Sequence, residues 1–184
     1  MDTADIEDQL SEILLTEPEI HARIAELCRE IERDYEGRDL LLVGVLRGAV
    51  MVMADVAREL RRDVEMDWMA VSSYGRGTRS SGVVRILKDL DTDLIGRNVL
   101  IVEDIVDSGL TLSWLRENLE SRGAASVEIC ALLRKPDAAK VDVEARYVGF
   151  EIPNAFVVGY GLDYAERYRN LRAVGVLAPH VYSS

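Results

Sequence analysis

The stretch VLIVEDIVDSGLT, Val99 to Thr111, decides how this chain is read. Asn98 to Val102 is an apolar run of the kind that forms a buried parallel strand. Two adjacent carboxylates follow, Glu103 and Asp104, then Ile105 and Val106, then a third carboxylate, Asp107. Ser108, Gly109, Leu110 and Thr111 lead into a helix with Leu112, Leu115 and Leu119 on one face and Gly123 after it. Unpaired N–H groups at a helix N-terminus, with two hydroxyls beside them, can cradle a phosphate, and Gly109 lets the backbone come close. The loop carries no Lys or Arg, and the helix end contributes only ~0.3–2 kcal/mol. Hydrogen bonds to a charged oxygen, at roughly 1.5–3 kcal/mol each, supply more. Glu103 and Asp104 suit a sugar diol or a divalent cation. Asp107, between the acid pair and the phosphate loop, is placed to act as a general acid or base. Solvated acids at a strand end and an ordinary helix cap would explain any one of these residues, but not the whole ordered pattern.

Working outward, the chain alternates strands and helices. Thr16-Glu17-Pro18-Glu19 is a capping box, and Ile20, Ile24, Leu27, Ile31 and Tyr35 follow at helical spacing up to Gly37. Leu40 to Val45 predicts a buried strand, and Ala49, Met53, Val56 and Leu60 mark a helix face behind a tight Gly44–Gly48 turn. Val64 to Ser72, Val83 to Leu87 and Val127 to Leu133 predict further strands. Tyr74 to Gly82, rich in Gly, Ser/Thr and Arg, predicts a mobile loop, and residues 1–16 an acidic arm. The pattern is that of an α/β fold with a mainly parallel sheet, in which ligands bind beyond the carboxyl ends of the strands. The length suits a single domain, 1–184.

Composition narrows the classes. The formal charge is −11, from 22 Lys+Arg and 33 Asp+Glu, which argues against a non-specific nucleic-acid binder. The charge is uneven: residues 1–37 hold 12 acids against 3 bases, so the rest of the chain is nearly neutral. The most apolar stretch, Leu40 to Ala54, is interrupted by Arg47 and predicts no membrane span. The acidic start predicts no signal peptide. Cys28 and Cys130 stand far apart, with no metal-ligand spacing and no disulfide framework, so a cytoplasmic setting is expected.

The segment from Val99 to Thr111 resembles the phosphoribosyl-diphosphate motif of type I phosphoribosyltransferases. Further segments are similar to the hypoxanthine/guanine phosphoribosyltransferase branch. Leu46-Arg47-Gly48 resembles its pyrophosphate loop, where a non-proline cis peptide is common. Ser73-Tyr74-Gly75 resembles the opening of its mobile catalytic loop, and Leu132-Leu133-Arg134-Lys135-Pro136 its Lys-Pro segment. Val148 to Pro153, Phe156 to Tyr164 and Arg167-Tyr168-Arg169 resemble its purine-binding hood. The resemblance runs from about Ile13 to Val176. It implies the type I fold, with a mainly parallel central sheet flanked by helices and a small C-terminal hood from about residues 147–176.

The resemblance implies transfer of a 5-phosphoribosyl group from its 1-diphosphate to N9 of hypoxanthine or guanine, in purine salvage. Glu103 to Thr111 would bind the donor, with Asp107 taking a proton from the purine near N7. Leu46, Arg47, Gly48 and Arg169 would hold pyrophosphate. Glu103, Asp104 and Asp163 would serve Mg²⁺, Asp163 through water. Phe156 would stack on the base, the Val157 carbonyl would accept a ring N–H, and Lys135 would donate to a 6-oxo group and so disfavour a 6-amino one. Singly, Phe156 suits a core and Lys135 and Arg169 suit a solvated surface; their spacing together argues otherwise. The sequence departs from some family members at Leu110, which replaces a Lys, and at Ala139, where a basic residue can stand. Arg76 and Arg79 of the loop after Tyr74 are candidates to reach pyrophosphate, and neither is assigned that contact. The expected assembly is a homodimer or homotetramer acting on small molecules, with no nucleic acid or membrane partner. A second reading is a pyrimidine-operon attenuation regulator that binds RNA and carries uracil phosphoribosyltransferase activity. A third is a catalytically silent scaffold.

Overall fold

The structure, a computed structural model, describes residues 1–73 and 84–183. The expected loop from Tyr74 to Gly82, and with it Tyr74, Arg76 and Arg79, lies outside the described residues. The elements in chain order are β1 (Leu10–Leu15), α1 (Glu17–Asp34), β2 (Leu41–Leu46), α2 (Val50–Glu59), β3 (Glu65–Ser73) and β4 (Val84–Lys88). Then come β5 (Asn98–Val106), α3 (Leu110–Ser121), β6 (Ser126–Arg134), β7 (Tyr147–Glu151), β8 (Val157–Val158), β9 (Val174–Leu177) and α4 (Pro179–Tyr182).

The main sheet has the order β4-β3-β2-β5-β6-β7. All its pairs are parallel except β3 with β4. The apolar runs of β2 and β5 are continuous because helices cover both faces of the sheet. Side chains alternate along a strand, so Leu42, Leu100 and Val102 pack with α1 and α2, while Leu41, Val43, Val99 and Ile101 pack with α3. The α1 start is held as its sequence predicts: the Glu19 carboxylate accepts from the Thr16 N–H (2.8 Å) and hydroxyl (2.6 Å).

The N-terminal segment corrects an expectation. It is not an arm: Thr3–Gln9 is a 3₁₀ helix, and β1 pairs antiparallel with β9 at the far end of the chain. A second sheet, β1-β9-β8, results, packed around Ile6, Val158, Tyr168, Leu171 and Leu177. The expected hood boundaries shift accordingly. Tyr147–Glu151 joins the main sheet beside β6, and the small sheet recruits residues 10–15 in its place. Alternation in β1 is weak, and only Leu15 is buried, so local periodicity could not reveal a strand whose partner lies some 160 residues away. A second correction concerns β5, which runs on through Glu103 and Asp104 rather than ending before them.

Leu100 sits at the centre of β5 with no exposed surface. Leu100→Ala should therefore cost about 2–5 kcal/mol of folding stability, read as a lowered urea midpoint. A change within ~0.5 kcal/mol would show that β5 is not the packing axis of the sheet.

Candidate active site

Parallel pairing of β2 with β5 and of β5 with β6 brings three chain segments to one edge of the sheet. Arg47 and Gly48 leave β2, Asp107 to Thr111 leave β5, and Lys135 leaves β6. Backbone bonds lock the edges together. The Lys135 N–H donates to the Val106 carbonyl (2.9 Å), and the Lys140 N–H donates to the Ser108 carbonyl (3.0 Å).

Gly109 takes a left-handed conformation (φ 78°) as the residue before α3. The first N–H groups of α3 therefore lie beside the half-buried Ser108 and Thr111, and no acid occupies the first turn. Asp107 is exposed at the mouth of this cradle. Leu110 opens the helix and contributes backbone rather than charge.

Glu103 and Asp104 are opposite in circumstance to Asp107. Glu103 is buried, and burial together with the neighbouring Asp104 charge holds its carboxyl well above the ordinary range. Burial also raises Asp104, although the Ile105 N–H donates to it at 2.8 Å and the Arg169 charge opposes the rise. Ile105 and Val106 continue the strand, Ile105 packing with the α1–α2 side and Val106 with the α3 side.

The Leu46–Arg47 peptide bond is cis, as the loop's resemblance implied. A β-carbon at Gly48 would fall 1.7 Å from an Asp104 oxygen, and one at Gly161 would fall 2.0 Å from the Gly48 carbonyl. The acid pair, the loop after β2 and the segment before Arg169 are thus stacked with no room for a side chain between them. The Arg169 guanidinium donates from Nη1 to the Gly161 carbonyl (2.8 Å) and pairs through Nη2 with Asp163 (2.8 Å) and Glu166 (3.4 Å). Its Nε is buried without a partner among the described residues. Arg47 pairs with Glu166 as well. The non-glycine residues with positive φ, Tyr160, Ala165, Glu166 and Tyr168, fall within this same segment, the pattern of a site held in shape by its surroundings.

The residues expected at the base fall into two groups. Lys135 is buried at the end of β6. Its ammonium has no hydrogen-bond or ion-pair partner among the described residues. Phe156 is 43% exposed, not core, with Tyr164 edge-on at 5.8 Å and Tyr182 tilted at 5.3 Å. Val157 lies on the outer strand of the small sheet. The Leu177 N–H donates to the Phe156 carbonyl, so antiparallel alternation turns the Val157 N–H and C=O away from β9. Ser73 ends β3, and its partner in the loop, Tyr74, lies outside the described residues.

Among the described residues no group of three or more acid, His or Cys side chains gathers as a metal cluster. Asp163 is instead engaged by Arg169 and by the Glu166 N–H (2.9 Å). Asp104 and Asp163 nevertheless both lie within reach of the Arg169 charge. That arrangement suits Mg²⁺, which keeps several waters and takes one or two carboxylates plus substrate phosphates. Glu166, which bridges Arg47 and Arg169, is the residue that the sequence did not single out. Only its place between Asp163 and Arg169 hinted at it.

A carboxyl with a raised folded pKa binds more protons folded than unfolded, so stability falls as pH rises. For Glu103 this loss begins above its ordinary value of 4.5 and proceeds through the raised one. In chelator and without ligand, urea stability should therefore drop as the pH rises above the ordinary carboxylate value of 4.5. Glu103→Gln should flatten that slope, and an unchanged slope would show that Glu103 is not the buried proton carrier.

A family model described as a phosphoribosyl transferase domain matches residues 11–165. Over 179 residues the chain is 59% identical to a hypoxanthine-guanine phosphoribosyltransferase of Mycobacterium tuberculosis, covering 94% of this chain and 89% of that protein. It is 53% identical to the Bacillus subtilis protein of the same name, over 95% of this chain and 97% of that one. A crystal structure of a hypoxanthine phosphoribosyltransferase from Staphylococcus aureus superposes with a TM-score of 0.94 at 47% identity, covering 98% of both chains.

Proposed function

The chain belongs to the phosphoribosyltransferase family, and from that premise we propose how its own residues carry the reaction. The function is purine salvage: a 5-phosphoribosyl group passes from 5-phospho-α-D-ribose 1-diphosphate to N9 of hypoxanthine or guanine, giving IMP or GMP and pyrophosphate. The observation that carries it is identity of 53–59% to hypoxanthine-guanine phosphoribosyltransferases along almost the whole chain. The catalytic unit is one domain spanning residues 1–184, with the small sheet as a hood over the base.

The α3 N-terminus, with Ser108, Gly109, Leu110 and Thr111, grips the 5′-phosphate through N–H groups and hydroxyls. Glu103 and Asp104 orient the ribose hydroxyls. Their raised pKa values favour a shared proton when the site is empty, and a bound cation would favour the fully charged pair. Magnesium, when bound, supplies positive charge to the departing pyrophosphate, and Asp104 and Asp163 would hold it, Asp163 through water. The Leu46-Arg47-Gly48 loop and Arg169 bind the same pyrophosphate, each arginine exchanging part of its contact with Glu166 for phosphate oxygens. As positive charge develops on the ribose carbon, these fixed groups need little reorganisation.

The purine stacks on Phe156, whose exposed ring is backed by Tyr164 and Tyr182. The Val157 carbonyl, unused by β9, accepts a ring N–H. The Lys135 ammonium donates to the 6-oxo group, where a 6-amino group would set donor against donor. Asp107, exposed at the mouth of the cradle, takes the proton from the ring near N7. The assembly expected is a homodimer or homotetramer. The free, buried thiols of Cys28 and Cys130 fit a cytoplasmic setting. No helix among the described residues is long and apolar enough to cross a membrane.

The direct test is a coupled assay of pyrophosphate release with hypoxanthine, guanine, xanthine, adenine and uracil, with and without magnesium. Turnover with hypoxanthine and guanine that requires magnesium is expected. Turnover with uracil alone would favour the RNA-binding regulator instead. Asp107→Asn should lower kcat by roughly 10²–10⁴-fold with folding intact. Lys135→Ala should raise the KM for hypoxanthine and narrow the preference over adenine. An unaltered preference would remove Lys135 from base recognition.

A further inference from the structure

Tyr160 belongs to none of the contacts above, yet it sits between them. It is buried, 5% exposed, in a left-handed conformation (φ 50°) that a residue with a β-carbon keeps only where its surroundings hold it. Its N–H donates to the Leu171 carbonyl (2.8 Å), and the next N–H, Gly161, donates to the Arg169 carbonyl (3.0 Å). Its hydroxyl crosses to a different part of the fold and donates to the Asp55 carboxylate on α2. Arg58, one helical turn on, pairs with the other Asp55 oxygen at 3.2 Å. His21 of α1 stands 3.7 Å from the carboxylate. Tyr160, Asp55, Met51 and Arg169 line one cavity of about 210 Å³.

The geometry gives this bond a specific reach. α2 starts directly after Ala49, so it carries the Arg47–Gly48 loop at its N-terminal end. Gly161 packs on the Gly48 carbonyl, and Arg169 donates to the Gly161 carbonyl. One arginine of the pyrophosphate site therefore hangs from α2 and the other from the turn that contains Tyr160. The Tyr160–Asp55 hydrogen bond is a part-buried side-chain tie between those two supports, in addition to the Gly48–Gly161 contact and the exposed Arg47–Glu166 pair. We propose that Tyr160 and Asp55 are positioning residues that set the separation of Arg47 and Arg169 for the diphosphate of the phosphoribosyl donor. The inference rests on the function proposed above and extends it to a pair that touches no substrate.

The test uses the full chain and hypoxanthine with the donor. Tyr160→Phe should raise the KM for the donor by about 10-fold, the order expected from a lost hydrogen bond to a charged group. The KM for hypoxanthine should stay within about twofold. Asp55→Ala should match Tyr160→Phe, and the double variant should add little to either. Asp55→Asn, which keeps an acceptor oxygen, should recover most of the loss. Mere loss of folded protein would lower kcat and leave both KM values in place, so thermal melts of each variant accompany the kinetics. An unchanged donor KM in Tyr160→Phe, equal rises in both KM values, or additive effects in the double variant would each overturn the proposal. A wild-type protein that forms no IMP would overturn the underlying function before any variant is compared.

Discussion

The site depends on two close approaches, the Asp104 carboxylate against Gly48 and the Gly48 backbone against Gly161. A single β-carbon at either glycine would fall within 2.0 Å of an oxygen. Three segments far apart in the chain are stacked there: the end of β5, the loop after β2 and the turn before Arg169. Because the stack is made of backbone and one carboxylate, its thickness is set by van der Waals contact and not by flexible side chains. Each residue proposed to bind the diphosphate is attached to one of its layers.

That stack also explains how a nearly neutral body can take a strongly anionic substrate. Its arginines are not free cations. Arg169 is engaged by Asp163, Glu166 and the Gly161 carbonyl, and Arg47 by Glu166. Held this way, they lose little side-chain freedom when phosphate oxygens arrive. Glu166 is exposed, whereas Asp163 is half-buried. The acidic charge of residues 1–37 lies mainly on the 3₁₀ segment, β1 and the outer face of α1. It contributes nothing to this balance.

Legibility differed by the distance over which the physics acts. The α1 capping box, the apolar run of β2 and the αL glycine before α3 are local features, and each appears where its residues predict. The same holds for the Val99–Thr111 motif, apart from the continuation of β5 through its two acids. β1 was not legible, because its alternation is poor and its partner β9 is at the other end of the chain. The apolar neighbourhood of Phe156 alone suits a core, but its spacing with Lys135 and Arg169 argues against one, and its ring is exposed.

The sequence by itself determined the class of fold, the anion-binding helix start, the acids beside it and the family of chemistry they serve, because those depend on short-range periodicity and on residue type. Only the tertiary structure decided which side chains meet. Pairing of β2, β5 and β6 set Arg47, Asp107 and Lys135 along one edge, and the small sheet brought Arg169, Glu166 and Tyr160 back over it. Such contacts depend on strand order and on approaches too close to admit a β-carbon, and neither is written in any local stretch of residues.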